Sequence, residues 1–393
     1  MEIEAPIRRL IEISYALDDL EKERTGLSPM LSREVYDYGI ADPHWDWKRV
    51  LKEIDAFEAD IETLAPGRRP YLHGVVDAYR MIARAGSGED IPYREKLKTY
   101  LQIDEVVIPD SELNAIKDQL CEKLAEAGFP DDMEHGYAQW KASRCLKFEE
   151  LDAYGHEIMA EARRRVLALN IGFPDWQNTE LNFPHDFPFR GYSSYDGKFK
   201  GGIRLNGDTP WEKPSLKHTI IHESFPGHQT FSAIREDLYN QGKIDVETTI
   251  TFYETGISPI HEGECDLGQT LIDMHDMADD LIQDLATDYI NGTETNLCIM
   301  ANEGRLPYEE GTKILMERCC MDETLADVRY KYFTNPLWKT CFPHYYHGRK
   351  FIREQYQRMF SRGFKAEYME MVFKHPHTMR TLRDSITEFL QTH

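Results

Sequence analysis

Apolar residues recur every three or four positions along most of this 393-residue chain, a period that leaves little room for any fold other than packed helices. From residue 6 to 24, Ile7, Leu10, Ile11, Leu17 and Leu20 share one stripe, with Ser14 as its polar gap and Ile13 at its edge. The same pattern predicts helices over residues 46–64, 69–85, 111–127, 147–168, 266–290, 307–320 and 346–360. No glycine-rich phosphate loop, alternating hairpin series or internal repeat interrupts it. The expected architecture is therefore all-α: one mainly helical domain over 1–393, with a helical N-terminal part (1–170) and a part bearing the functional motifs (171–393).

Hydrophobic residues at 41% supply ample core, and a net charge of −23 excludes the basic footprint that nucleic acid requires. A local reversal, Lys198, Lys200, Arg204, Lys213 and Lys217, reads either as an anion-attracting edge or as a solvated face. The N-terminus lacks a basic region followed by an apolar one, and no run reaches the ~18 apolar residues of a membrane span. Seven cysteines without framework spacing suit reduced thiols, so a cytoplasmic location without membrane association is expected. The adjacent Cys319 and Cys320 read as small buried hydrophobes, and Asn291-Gly292-Thr293 as a turn.

Residues 171–214 depart from the helical period. They carry five prolines and the aromatic residues Phe183, Phe187, Phe189, Tyr192, Tyr195 and Phe199, a composition that points to an ordered functional loop. A short strand over Gly202–Asn206 is expected along a cleft, where a free edge could pair with an extended substrate backbone; packing the loop onto the core is its plainer role.

The chemistry concentrates in His222-Glu-Ser-Phe-Pro-Gly-His228, followed by Glu262. Two imidazoles and a carboxylate are a donor set for catalytic zinc, with a fourth position left to water, and Glu223 beside the first imidazole is placed as general base. Six residues at ~100° each set the two histidines ~120° apart on a regular helix, so the helix has to break for both to reach one ion. Pro226 and Gly227 supply the break. A competing pair, His218 and His222, has the i, i+4 spacing of one helix face, which would leave His228 for substrate. Asp266, one turn after Glu262, is placed to accept a hydrogen bond from a ligating imidazole. His261 faces elsewhere, His275 and Asp276 read as surface residues, and a Cys265–His261 dyad is disfavoured by the carboxylates around it.

The order Gly202-Ile-Arg-Leu-Asn206, the His222–His228 motif, Glu262-Gly263, Arg329-Tyr330 and Tyr345-Tyr-His-Gly348 resembles the bacterial family catalogued as domain of unknown function 885. That family is regarded as zinc metallopeptidases of the gluzincin type on a mainly helical, neurolysin-like fold with a deep cleft. The resemblance implies zinc on His222, His228 and Glu262, with Glu223 as base. It implies Tyr345 as an oxyanion donor, and Arg329, Tyr330, Arg204 and Asn206 near substrate. Where the family continues Glu-Gly-Trp-Ala, this chain has Glu264 and Cys265, and Gln229 stands where a further histidine is common. Glu264 is expected to change the pocket's polarity and hence the substrate. The reading is a metal-dependent hydrolase of amide or peptide bonds in a short peptide or small molecule. An enzyme acting on a small non-peptide compound and a catalytically silent helical binding protein are the alternatives. Manganese, iron and cobalt share this ligand chemistry with zinc.

Overall fold

The computed structural model describes residues 3–27, 31–33, 38–187, 190–336 and 338–393; Pro188 and Phe189 of the aromatic loop lie outside them. The protein is mainly α-helical. In the N-terminal part run α1 (Ala5–Thr25), α2 (Trp47–Ile61), α3 (Arg69–Gly86), α4 (Tyr93–Leu101), α5 (Asp110–Glu126), α6 (Ala138–Arg144) and α7 (Phe148–Ala168). The C-terminal part holds α8 (Lys213–Glu223), α9 (His228–Asn240), α10 (Ser258–Leu271), α11 (Asp279–Asn302), α12 (Tyr308–Cys319), α13 (Glu323–Thr334), α14 (Cys341–Phe360), α15 (Lys365–Lys374) and α16 (Met379–Thr392).

The expected helix over 266–290 is two helices. The apolar period runs on through Ile272 and Met274, but Asp273 takes a left-handed φ of 56° and ends α10. The expected turn at Asn291-Gly292-Thr293 lies inside α11, where Gly292 lets Leu113 and Tyr346 pack against the helix: a Cβ there would lie 2.5 Å from Leu113 Cδ2. Cys319 is buried, as expected, whereas Cys320 caps α12 in the left-handed region and donates its thiol to the Met133 carbonyl at 3.1 Å.

The aromatic loop builds a three-stranded sheet. Strands β2 (Asn178–Asn182), β3 (Gly191–Gly197) and β4 (Lys200–Leu205) lie in the order β2-β4-β3, with β2 parallel and β3 antiparallel to the central β4. The strand over 202–206 is thus flanked on both sides and offers no free edge; β2 and β3 are the edge strands. A second, two-stranded sheet joins β1 (Leu31–Arg33) to β5 (Ile250–Phe252) across the chain.

The largest apolar core crosses the expected boundary at 170. Tyr93, Leu97, Leu101, Ala162 and Val166 pack in one cluster with Phe225, Ile260, Leu297, Phe342 and Ile352. At its centre α10 crosses α14 at unusually close range, because Gly263 and Gly348 remove the side chains that would hold the helices apart.

Candidate metal centre

The break between the two histidines is built as the sequence requires. Helix α8 stops at Glu223, the Phe225–Pro226 peptide is cis, and α9 starts at His228 with Gly227 as its N-cap. Gly227 is needed sterically: a Cβ there would lie 1.7 Å from the carbonyl oxygen of His222. The reversal brings the two imidazoles together, with ring centroids 5.0 Å apart and planes at 78°.

Glu262 reaches both from α10. Its Oε2 lies 3.4 Å from His222 Nε2, and its Oε1 lies 3.9 Å from His228 Nε2. Donors placed tetrahedrally at zinc-ligand lengths sit about 3.3–3.6 Å apart; one oxygen of this carboxylate lies at that distance from His222, and the other lies slightly farther from His228. Cys265, one turn along α10, faces the same two imidazoles, a neighbourhood that its disfavoured pairing with His261 did not suggest. Its sulfur and nitrogens of His222 and His228 all lie within 4.8 Å of one another. His261 packs its ring on Phe231, at a centroid distance of 5.0 Å.

Asp266 organises the imidazoles from behind. Its Oδ1 accepts from Nδ1 of His222 at 2.9 Å and from Nε2 of His218 at 3.0 Å. His218 and His222 do share one helix face, and with Asp266 they form a second cluster of donors within 4.8 Å. Because Asp266 takes up His222 Nδ1, Nε2 is left to face Glu262. Burial opposes ionisation of Asp266, but Arg349 and the two imidazoles hold its carboxyl well below the usual range. Arg349 is itself buried among Asp266, Asp284 and Asp288, at 3.4, 2.7 and 2.6 Å. His275, expected at the surface, is half-buried and bonded to Asp284 at 2.9 Å, so it belongs to this network. Burial would lower the His222 pKa, yet Asp266 and Glu262 raise it well above the ordinary value. Burial would raise that of Glu262, yet His222 lowers it. The site is a concentrated negative field that favours a cation between its donors.

Glu223 ends α8 beside the edge strand β3. Its carbonyl accepts from Ser193 Oγ at 3.2 Å, and its Oε1 would lie 3.9 Å from a Cβ on Gly191. Gln229, in place of the family's histidine, stitches α9 to β3 through Ser193 Oγ and the Ser194 carbonyl, both at 2.8 Å. Tyr345 approaches from α14. Burial first, then the neighbouring Cys341 thiol and the charges of Glu262 and Glu223, push its hydroxyl well above its ordinary pKa, with Arg329 working the other way. It therefore stays protonated and makes no hydrogen bond to a described residue, which leaves a donor for a ligand.

The other expected substrate contacts are not brought to this cluster. Arg204 points away from α8: Ile203 and Leu205 on either side of it are buried, while Arg204 is exposed on the opposite face of β4. Asn206 is spent on loop closure, donating to the Phe187 carbonyl at 2.6 Å and accepting from Asp208 N–H at 2.8 Å. Tyr330 donates to the Leu306 carbonyl at 2.6 Å and packs on Gly311. Arg329 pairs with the buried Glu294 at 3.3 Å, close enough for its charge to act on Tyr345. Glu264 does not line a pocket: it is fully buried and accepts from the Tyr368 hydroxyl. Of the basic cluster, Lys217 is committed to the buried Asp280.

No family model matches the chain, and no curated protein matches it. Among solved structures it is similar to a protein named as a putative lipoprotein from Colwellia psychrerythraea, at a TM-score of 0.57 and 14% identity, over 88% of this chain and 67% of that one. It is likewise similar to a putative lipoprotein of unknown function from Shewanella oneidensis, at 0.54 and 12%, over 87% and 72%. Likeness at this identity bears on the fold alone. Among the described residues no helix is long and apolar enough to cross a membrane.

Proposed function

We propose that the protein is a metal-dependent hydrolase of amide or peptide bonds in short peptides or similarly small molecules, with zinc as the ion that its donors suit best. The observation that carries this reading is the convergence of His222, His228 and Glu262 from three separate helices, with Glu223 at the end of α8 and Tyr345 close enough to feel the charges of Glu262 and Glu223. A bound zinc would supply Lewis acidity and lower the pKa of a coordinated water. His222, His228 and Glu262 hold the ion; Asp266 fixes the orientation of His222. Glu223 takes the proton from the attacking water and passes it to the leaving amine. Tyr345 donates to the oxygen that gains charge as the carbonyl is attacked. Strand β3 runs next to Glu223, its Ser193 hydroxyl donating to the Glu223 carbonyl, and an extended substrate backbone lying along it would favour a peptide over a compact ligand.

The resemblance to the domain of unknown function 885 family supports the same reading. A non-peptide substrate loses the part of its support that came from Glu264, which is buried against Tyr368. The test is elemental analysis of the purified protein, followed by a digest of a short-peptide library. Bound metal with cleavage that Glu223→Gln abolishes supports the hydrolase; bound metal without cleavage of any peptide or amide favours a silent binding protein.

A further inference from the structure

Of the four buried thiols, Cys265 alone belongs to a cluster of possible metal donors among the described residues. Cys298 donates to the Lys339 carbonyl at 3.0 Å and Cys341 accepts from the Tyr253 hydroxyl at 2.9 Å, so each is engaged by its surroundings. Cys265 is 1% exposed, makes no hydrogen bond to a described residue, and has its sulfur within 4.8 Å of nitrogens of His222 and His228. It shares a face of α10 with Glu262 and Asp266, at i, i+3 and i+4, and all three side chains reach His222; Glu262 and Cys265 also reach His228, whereas Asp266 reaches His218.

We propose that Cys265 is a ligand of the metal, giving the centre a sulfur donor beside His222, His228 and Glu262. This inference rests on the metal centre proposed above. Two neutral imidazoles, one carboxylate and one thiolate together balance the charge of a divalent cation, which the first three donors leave half unneutralised. As the sulfur–metal bond forms, the thiol proton leaves to solvent and no electron changes hands. Cys265 is itself buried, and a zinc held by these residues would still supply Lewis acidity if it took water as a further ligand. A soft donor also narrows the choice of ion: zinc, cobalt and cadmium gain from thiolate ligation, whereas manganese and magnesium do not.

The test uses cobalt(II) as the probe. Metal-free full-length protein is titrated anaerobically with cobalt chloride, bound cobalt is counted by elemental analysis, and near-ultraviolet absorption is recorded for the natural protein, Cys265→Ser and Cys265→Ala. The expected result is a thiolate-to-cobalt charge-transfer band in the natural protein that is lost in both variants while cobalt remains bound. The serine variant keeps the side-chain volume and the alanine variant removes it, so one folding failure does not remove the comparison. Cobalt bound without the band, or a band that survives in either variant, overturns the assignment and leaves the metal centre standing. Absence of bound cobalt in the natural protein overturns the metal centre and Cys265 ligation with it.

Discussion

Gly263 on α10 and Gly348 on α14 meet backbone to backbone: a Cβ on Gly263 would lie 2.5 Å from the carbonyl oxygen of Gly348, and one on Gly348 would lie 2.1 Å from that of Pro259. The contact sets the gap between Glu262, next to the first glycine, and Tyr345, one turn before the second. Backbone atoms cannot rotate out of the way as a side chain can. Gly348→Ala is expected to push the helices apart and destabilise the fold by about 1–3 kcal/mol, the usual range for overpacking. Urea denaturation of the metal-free protein checks this, and a matching loss of activity would show that the spacing matters to the site.

Glu223→Gln keeps shape and removes the base. Metal content should be unchanged while turnover falls by ~10²–10⁴-fold, the range for a general acid–base residue. Tyr345→Phe should also keep the metal and lower kcat by ~10²-fold or more, because it deletes one oxyanion donor. His222→Ala and His228→Ala should both lose the metal. Elemental analysis beside steady-state kinetics separates the two classes.

Asp266→Asn tests the support behind His222. Metal affinity should fall ~10–100-fold, as for other partners of ligating histidines. His218→Ala should change it much less, since His222 retains Asp266. Competition with a chromophoric chelator measures both. A larger loss in the His218 variant would mean that the i, i+4 pair, not the broken-helix pair, holds the ion.

Glu264 gives a pH dependence with a definite sign. Burial pushes its carboxyl up to about 8, with only the Tyr368 hydroxyl opposing. An unfolded chain releases the same proton at about 4.3. The folded state therefore binds more protons between those values. The associated stability is fully present below the lower one and is lost as pH rises through about 8. The loss is on the order of 5 kcal/mol at most. Glu264→Gln should flatten the fall, so denaturation midpoints of variant and natural protein should diverge from pH 5 to pH ~9.

What the sequence disclosed follows from how local each determinant is. The break at Pro226-Gly227 was legible because both residues restrict the backbone by themselves, and Asp266 because i+4 on a helix is a fixed relation. The end of α10 was not, since Asp273 is an ordinary helix residue forced into a left-handed turn by its surroundings. The sheet was missed because Gly191–Gly197 reads Gly-Tyr-Ser-Ser-Tyr-Asp-Gly, with too little apolar alternation to mark a strand. Arg349 reaches Asp266 from a distant helix, and nothing local announces such a pairing. Cys265 was visible as a thiol among carboxylates, but the imidazoles it faces are brought to it only by tertiary packing.

The N-terminal part supplies none of the metal donors, yet it grips the helix that carries Tyr345. Glu112 of α5 accepts from the Tyr346 hydroxyl and from Lys350, both at 2.6 Å, and His347 Nε2 donates to the Val106 carbonyl at 3.0 Å. Residues after Tyr345 are thus fastened to a segment far away in the chain, so the proposed oxyanion donor is aimed by an anchor more than a hundred residues before His222, the first of the proposed ligands. Substitutions at Glu112 therefore fall in a class that a ligand census would overlook. They would leave the ion in place and detune only the group that greets the substrate, much as a loosened bearing misaligns a shaft without touching the motor.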